Sequence, residues 1–121
     1  MKAETHVAMN LEEIAGLLSC EMLMPAEHSV DIETVVASDG MSEILAFHRP
    51  HALMLTGLTN IQSVRTAVVA DVCAIIYVRA KRPEQKVLDL AYYPGIPVHA
   101  TSLGLFDTCG ILYAAGLEGG M

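Results

Sequence analysis

Ala52-Leu53-Met54-Leu55-Thr56-Gly57-Leu58-Thr59-Asn60-Ile61 reads as a strand that stops at Thr56-Gly57 and re-enters a helix at Asn60. The opening residues are apolar without alternation, and an asparagine side chain can accept a free backbone N–H at a helix start. Ile61, Val64, Ala67 and Val68 then share one helical face. Residues 72–78 follow as the most hydrophobic strand, with no polar alternation, as expected when both faces are covered. A strand, a helix and a second buried strand in so short a span make a βαβ unit with parallel strands.

The same alternation extends in both directions. Asn10 stands as a cap before Glu12, Glu13 and the apolar face of Leu11, Ile14, Leu17 and Leu18, so residues 11–19 are predicted helical. Residues 20–24 form a small strand ended by Pro25, followed by an acidic loop. Thr34-Val35-Val36-Ala37 is a strand by its β-branched content. Residues 41–47 are helical and stop before Pro50. Pro83 suits the first position of a helix that turns Val87, Leu88 and Ala91 inward, and Tyr93-Pro94-Gly95 ends it. Residues 96–100 form the last strand, and Leu103, Phe106, Gly110 and Tyr113 line a final helix ending near Gly116. With right-handed crossovers the helices cover both faces. The expected fold is a single α/β domain over residues 1–121, small, three-layered and Rossmann-like or flavodoxin-like. Its sheet is mostly parallel, with about four or five strands.

Composition narrows the function. The chain has 121 residues, 53% hydrophobic and 17% charged, which excludes a disordered tail. Its net charge of −7 argues against a non-specific nucleic-acid or anionic-membrane binder. That charge is uneven: residues 1–48 carry nine acidic side chains against Lys2 alone, −8, and the remainder carries six basic and five acidic, +1. Arg79, Lys81, Arg82 and Lys86 fall in one short stretch. Met1-Lys2-Ala3-Glu4-Thr5-His6 lacks the apolar run of a signal peptide, and proline and glycine punctuate the longest uncharged run, residues 90–106. The expected location is cytoplasmic. Cys20, Cys73 and Cys109 have no paired spacing, and Cys73 and Cys109 sit in apolar surroundings as small core residues.

In an open α/β sheet, ligands sit beyond the carboxyl ends of the strands. Those ends supply Ser38, Asp39 and Gly40; then Thr56, Gly57, Thr59 and Asn60; then Arg79 and Arg82; then Thr101 and Ser102. Hydroxyls and free helix-start amides would face an anion there, with Arg79 and Arg82 adding charge-assisted bonds. The plainer reading makes Asp39, Asn60 and Ser102 helix caps and the glycines turns. Neither G-x-x-x-x-G-K-[ST], G-x-G-x-x-G nor G-x-S-x-G occurs, which removes a P-loop, a dinucleotide fingerprint and a nucleophile elbow. Pro50 prevents His48 and His51 from stacking on one helical face, so no metal site is expected, and no cofactor. His99, on a buried strand, is expected to be a satisfied core or edge histidine rather than a base.

Val36-Ala37-Ser38-Asp39-Gly40-Met41-Ser42-Glu43-Ile44-Leu45, Leu55-Thr56-Gly57-Leu58-Thr59-Asn60, Ala74-Ile75-Ile76-Tyr77-Val78 and Gly95-Ile96-Pro97-Val98 follow in order. Together they resemble the DRTGG domain in its small stand-alone form, over about residues 10–116. The resemblance implies a fold similar to the amino-terminal domain of HPr kinase/phosphorylases. It also implies kinship with a domain found in some phosphate acetyltransferases and CBS-containing pyrophosphatases. There it is accessory, regulatory or dimer-forming. Where the family often has Gly-Asp-Arg this chain has Gly57-Leu58-Thr59, and where it often has Thr-Gly-Gly this chain has Val78-Arg79-Ala80.

Three functions compete. The first is a non-catalytic regulatory module that senses a small anionic, phosphate-bearing metabolite such as a nucleotide, or a protein partner. The second is a structural domain whose act is self-association, with no small-molecule ligand. The third is a small enzyme using His99 or Asp39 as a base, which the missing motifs disfavour. A homodimer is expected in any case, through an exposed apolar patch on the first or last helix.

Overall fold

The computed structural model describes residues 7–47 and 49–121. The chain runs β1 (Met9–Asn10), α1 (Leu11–Leu17), β2 (Glu21–Met24), β3 (Asp31–Ile32), β4 (Thr34–Ala37), α2 (Met41–Leu45) and β5 (Ala52–Thr56). It continues through α3 (Ile61–Val69), β6 (Ala74–Tyr77), α4 (Gln85–Tyr92), β7 (Val98–Ala100), α5 (Leu105–Ala114) and β8 (Glu118–Gly119). Among the described residues the main sheet has six strands in the order β2-β7-β6-β5-β4-β8, and β1 pairs with β3 in a separate ribbon. Strands β7, β6, β5, β4 and β8 are parallel, and β2 closes one edge antiparallel to β7. The α/β class and the mostly parallel sheet are as the sequence predicts.

Burial explains the sheet's centre. Every residue of β5 and β6 is buried, and successive side chains enter opposite cores. Met54, Ile75 and Tyr77 pack with Ile44, Val64, Val87 and Ala91, from α2, α3 and α4. Leu53, Leu55, Ala74 and Ile76 pack with Leu11, Ile14 and Leu112, from α1 and α5. The layers are therefore helix, sheet and helix.

The differences lie at the margins. The strand over residues 96–100 is not the last: β8 follows α5 and pairs Thr34 with Glu118 and Val35 with Gly119. The acidic loop after Pro25 contains β3, whose Ile32 pairs with Met9. Pro83 does not open α4. Glu84 is extended (ψ 159°) and serves as the cap, its carbonyl accepting from Val87 N–H at 2.9 Å, so the proline stands before it. The helix predicted over residues 41–47 ends at Leu45 in a turn in which Phe47 N–H donates to Ile44. No helix among the described residues is long and apolar enough to cross a membrane.

Candidate functional site

Because β4, β5, β6 and β7 are parallel neighbours, the four segments that follow them meet at one edge of the sheet. Asp39 is the hub of its first half. Its Oδ1 accepts from the Gly57 N–H at 2.7 Å and the Thr56 hydroxyl at 3.1 Å, and its Oδ2 accepts from Arg79 Nη2 at 3.2 Å. The Gly57 N–H, more than any other group, holds the Asp39 carboxyl below its usual range, with Arg79 and Thr56 adding to it against partial burial. A Cβ on Gly57 would collide with Arg79 Nη2, so the guanidinium rests directly over the glycine backbone. Arg79 and Ala80 both have positive φ (62° and 56°), and their N–H groups donate to Leu103 and Thr101. That turn folds the arginine back over the loop after β5.

Asp39 does not cap α2, and Ser102 does not cap α5. The caps are Gly40 and Gly104, while Ser38 Oγ accepts from the Gly40 N–H at 2.8 Å. Thr101 is buried, donates to the Leu18 carbonyl at 2.7 Å and accepts from Leu103 N–H, so it ties β7 to the end of α1. Ser102 is exposed. Replacing Asp39 by alanine should therefore loosen a loop junction: we expect a loss of about 1 kcal/mol, the low end for a hydrogen-bonded carboxylate because Asp39 is half exposed. Since its folded pKa is depressed, that contribution is complete above its unfolded pKa of 3.8 and fades as pH falls through the folded value. Urea midpoints of wild type and Asp39→Ala should converge in acid.

The second half of the edge is a cleft of about 480 Å³ where α3 and α4 begin side by side. Thr59, Asn60 and Arg82 line it with Glu84 and with Lys86 of the same basic stretch, joined by Arg65, which nothing in the sequence ties to them. Asn60 caps α3, its Oδ1 accepting from Ser63 N–H at 3.3 Å. Below it, Ser63 Oγ donates to the Asn60 carbonyl and meets the buried Tyr77 hydroxyl, each at 2.7 Å. At the start of α4 the Glu84 side chain makes no capping hydrogen bond. Arg82 pairs with Glu21 on β2, Lys86 lies 3.7 Å from Glu84, and Arg65 makes no ion pair among the described residues. Arg79 and Arg82 thus go to different partners, one over Gly57 and one at the cleft. Arg65 had a signal in the sequence, as the sole charge in α3, but its convergence with Lys86 depends on how the two helices pack.

Other candidates for chemistry lie apart. His99 is buried as expected, but it is not satisfied: its Nδ1 has no hydrogen-bond partner among the described residues. Its neighbours across the sheet, Met22 and Ile76, are apolar and offer none. Burial pushes the Cys20 and Cys73 thiols up to about 11 and raises Cys109, so all three are poor nucleophiles near neutral pH. No group of three His, Cys, Asp or Glu side chains among the described residues could hold a metal ion, and His48 lies outside them.

Among solved structures, the chain is similar to the crystal structure of the CBS and DRTGG domains of the regulatory region of Clostridium perfringens pyrophosphatase, complexed with its activator diadenosine tetraphosphate. The TM-score is 0.71 at 18% identity, covering 84% of this chain and 45% of that one. The likeness is one of fold. It bears on the α/β fold alone, and the chain spans less than half of that regulatory region. No protein-family model and no curated protein matches the sequence.

Proposed function

We propose that this protein is a non-catalytic, ligand-sensing regulatory module that binds a phosphate-bearing metabolite of the nucleotide class in the cleft between α3 and α4. One observation carries the reading: in a chain of net charge −7, Arg65, Arg82 and Lys86 converge where two helices begin. Helix starts present N–H groups and positive potential, and the Glu84 side chain does not cap the α4 start. Arginine forks supply the paired bonds that phosphate accepts. Thr59 and Asn60 belong to this cleft. Ser38, Asp39, Gly40, Thr56, Gly57 and Arg79 act beside it as the junction that sets the loop between β5 and α3. The similarity to a regulatory region solved with a nucleotide activator supports the same class.

Catalysis is disfavoured by the geometry of the titratable groups. Asp39 is consumed by three donors and held ionised, and His99 lies on the other face of the sheet. The carboxylate lining the cleft, Glu84, is exposed and pairs with Lys86 at 3.7 Å, and neither His99 nor Asp39 is among the residues that line it. A thermal-shift panel of nucleotides and sugar phosphates tests the reading. A ligand at a hundred times its dissociation constant should add about 2.7 kcal/mol, several degrees in a domain of this size. Arg82→Ala should remove most of the shift. If no compound moves the wild-type midpoint, the cleft is only a pair of helix starts.

A second reading, self-association, rests on a different surface. Phe106 (88% exposed), Tyr113 and Met121 rim an apolar cavity of about 430 Å³ between α5 and the β4–β8 edge. That is the face through which we propose a homodimer, on the carboxy-terminal rather than the amino-terminal helix. Light scattering at tens of micromolar should give twice the 13.0 kDa chain mass, and Phe106→Asp should halve it. A wild-type mass near 13.0 kDa would remove this reading without touching the first.

A further inference from the structure

Because β2 runs antiparallel to β7, its first residue lies at the sheet edge where the parallel strands end. Glu21 stands opposite Ala100, the last residue of β7, and Ala100 pairs with Tyr77, the last residue of β6. The strand that closes the sheet therefore begins beside the segment that leaves β6 and carries Arg82. There Arg82 Nη1 donates to the Glu21 carboxylate, an ion pair between positions 61 apart in the chain. Arg82 also lines the cleft between α3 and α4, whereas Glu21 does not. A carboxylate from outside the cleft thus holds one of its cations.

The charge balance gives that pair a consequence. Of Arg65, Arg82 and Lys86, two are already answered, Lys86 by Glu84 and Arg82 by Glu21. Glu84 belongs to the same short segment as Lys86, so their pairing reports nothing beyond the start of α4. Glu21 belongs to another element. A phosphate that reaches Arg82 meets the carboxylate already bound there, and two anions side by side repel. Glu21 yields easily: its side chain is 59% exposed, so water can take the freed carboxylate, and exposed pairs are weak. We propose that the Glu21–Arg82 pair is a latch on the cleft, which a phosphate-bearing ligand opens by taking Arg82 from Glu21. The latch rests on the reading of the cleft as an anion site. It adds a readout, since the empty and the occupied cleft then differ at β2. That strand is an edge of the main sheet, and Met22 beside Glu21 is exposed.

The test titrates ATP into the full chain as wild type, Glu21→Gln and Glu13→Gln. The last makes the same charge change on α1, the helix packed on the opposite face of the sheet. Glu21 and Glu13 are exposed, so both variants should keep the fold. Glu21→Gln should bind ATP about three- to fivefold tighter, the scale of a weak exposed pair. Glu13→Gln should bind like wild type, and Glu21→Gln should add nothing once Arg82→Ala is present. In spectra, the Glu21 carboxyl ¹³C and the Met22 amide should shift with ATP in wild type and stay still in Arg82→Ala. Equal or weaker affinity in Glu21→Gln, while wild type binds ATP, overturns the latch and leaves the cleft standing. An equal gain from Glu13→Gln, or from Glu21→Gln beside Arg82→Ala, also overturns it, because net charge alone then accounts for the effect. If neither wild type nor Glu21→Gln binds ATP, the cleft falls and the latch with it.

Discussion

Tyr77→Ala is expected to destabilise the protein by about 3–5 kcal/mol, enough to unfold most of it under mild denaturant. Tyr77 ends β6 with no exposed surface, and its ring fills the core shared by Val64 on α3 and Val87 on α4. Its hydroxyl meets Ser63 Oγ at 2.7 Å, below the start of α3. Tyr77→Phe separates the two contributions. It keeps the ring and removes only the hydroxyl, while Ser63 Oγ keeps the Asn60 carbonyl as acceptor, so the loss should be about 1 kcal/mol. Urea unfolding of both variants measures the difference. If alanine and phenylalanine cost the same, the ring does not support the two helices as described.

This residue also shows what the sequence could and could not convey. A four-residue strand of Ala74-Ile75-Ile76-Tyr77 declares itself, because only burial on both faces tolerates such a run. The β5 strand and the Asn60 cap declare themselves in the same way, and they place the loop at the sheet edge. By contrast, β1, β3 and β8 have two residues each, too few for any period, and exist only because a distant partner offers hydrogen bonds. The Asp39 hub was visible as a residue but not as a function. Its donors lie 17, 18 and 40 positions away, and only the register of β4 on β5 brings Gly57 to it. The strand around His99 makes its burial legible, yet satisfaction depends on neighbours that a single sequence does not reveal. Lys86 stands out in the sequence within a basic stretch, but that Arg65 meets it depends on how α3 and α4 pack.

The second large effect concerns those two cations. Arg65→Glu with Lys86→Glu should weaken binding of a phosphate-bearing ligand at least about a hundredfold, since each charge-assisted bond contributes roughly 1.5–3 kcal/mol and reversal adds repulsion. Stability should change little, because both side chains are exposed, Arg65 has no ion pair among the described residues, and exposed pairs like Lys86–Glu84 contribute about 0–1 kcal/mol. Calorimetric titration with ATP, alongside a urea curve, checks both halves. Loss of binding with an unchanged urea midpoint is the expected result. Unchanged binding would place the ligand elsewhere.

The most direct test of the anion cleft is a ¹H–¹⁵N amide map of the wild-type protein titrated with ATP. Saturable shifts should appear at Ile61, Gln62 and Ser63 at the start of α3 and at Gln85, Lys86 and Val87 at the start of α4, fading as salt is raised. If those amides stay in place while others move, or if no amide shows saturation, the cleft between α3 and α4 is not a ligand site and the regulatory reading falls with it.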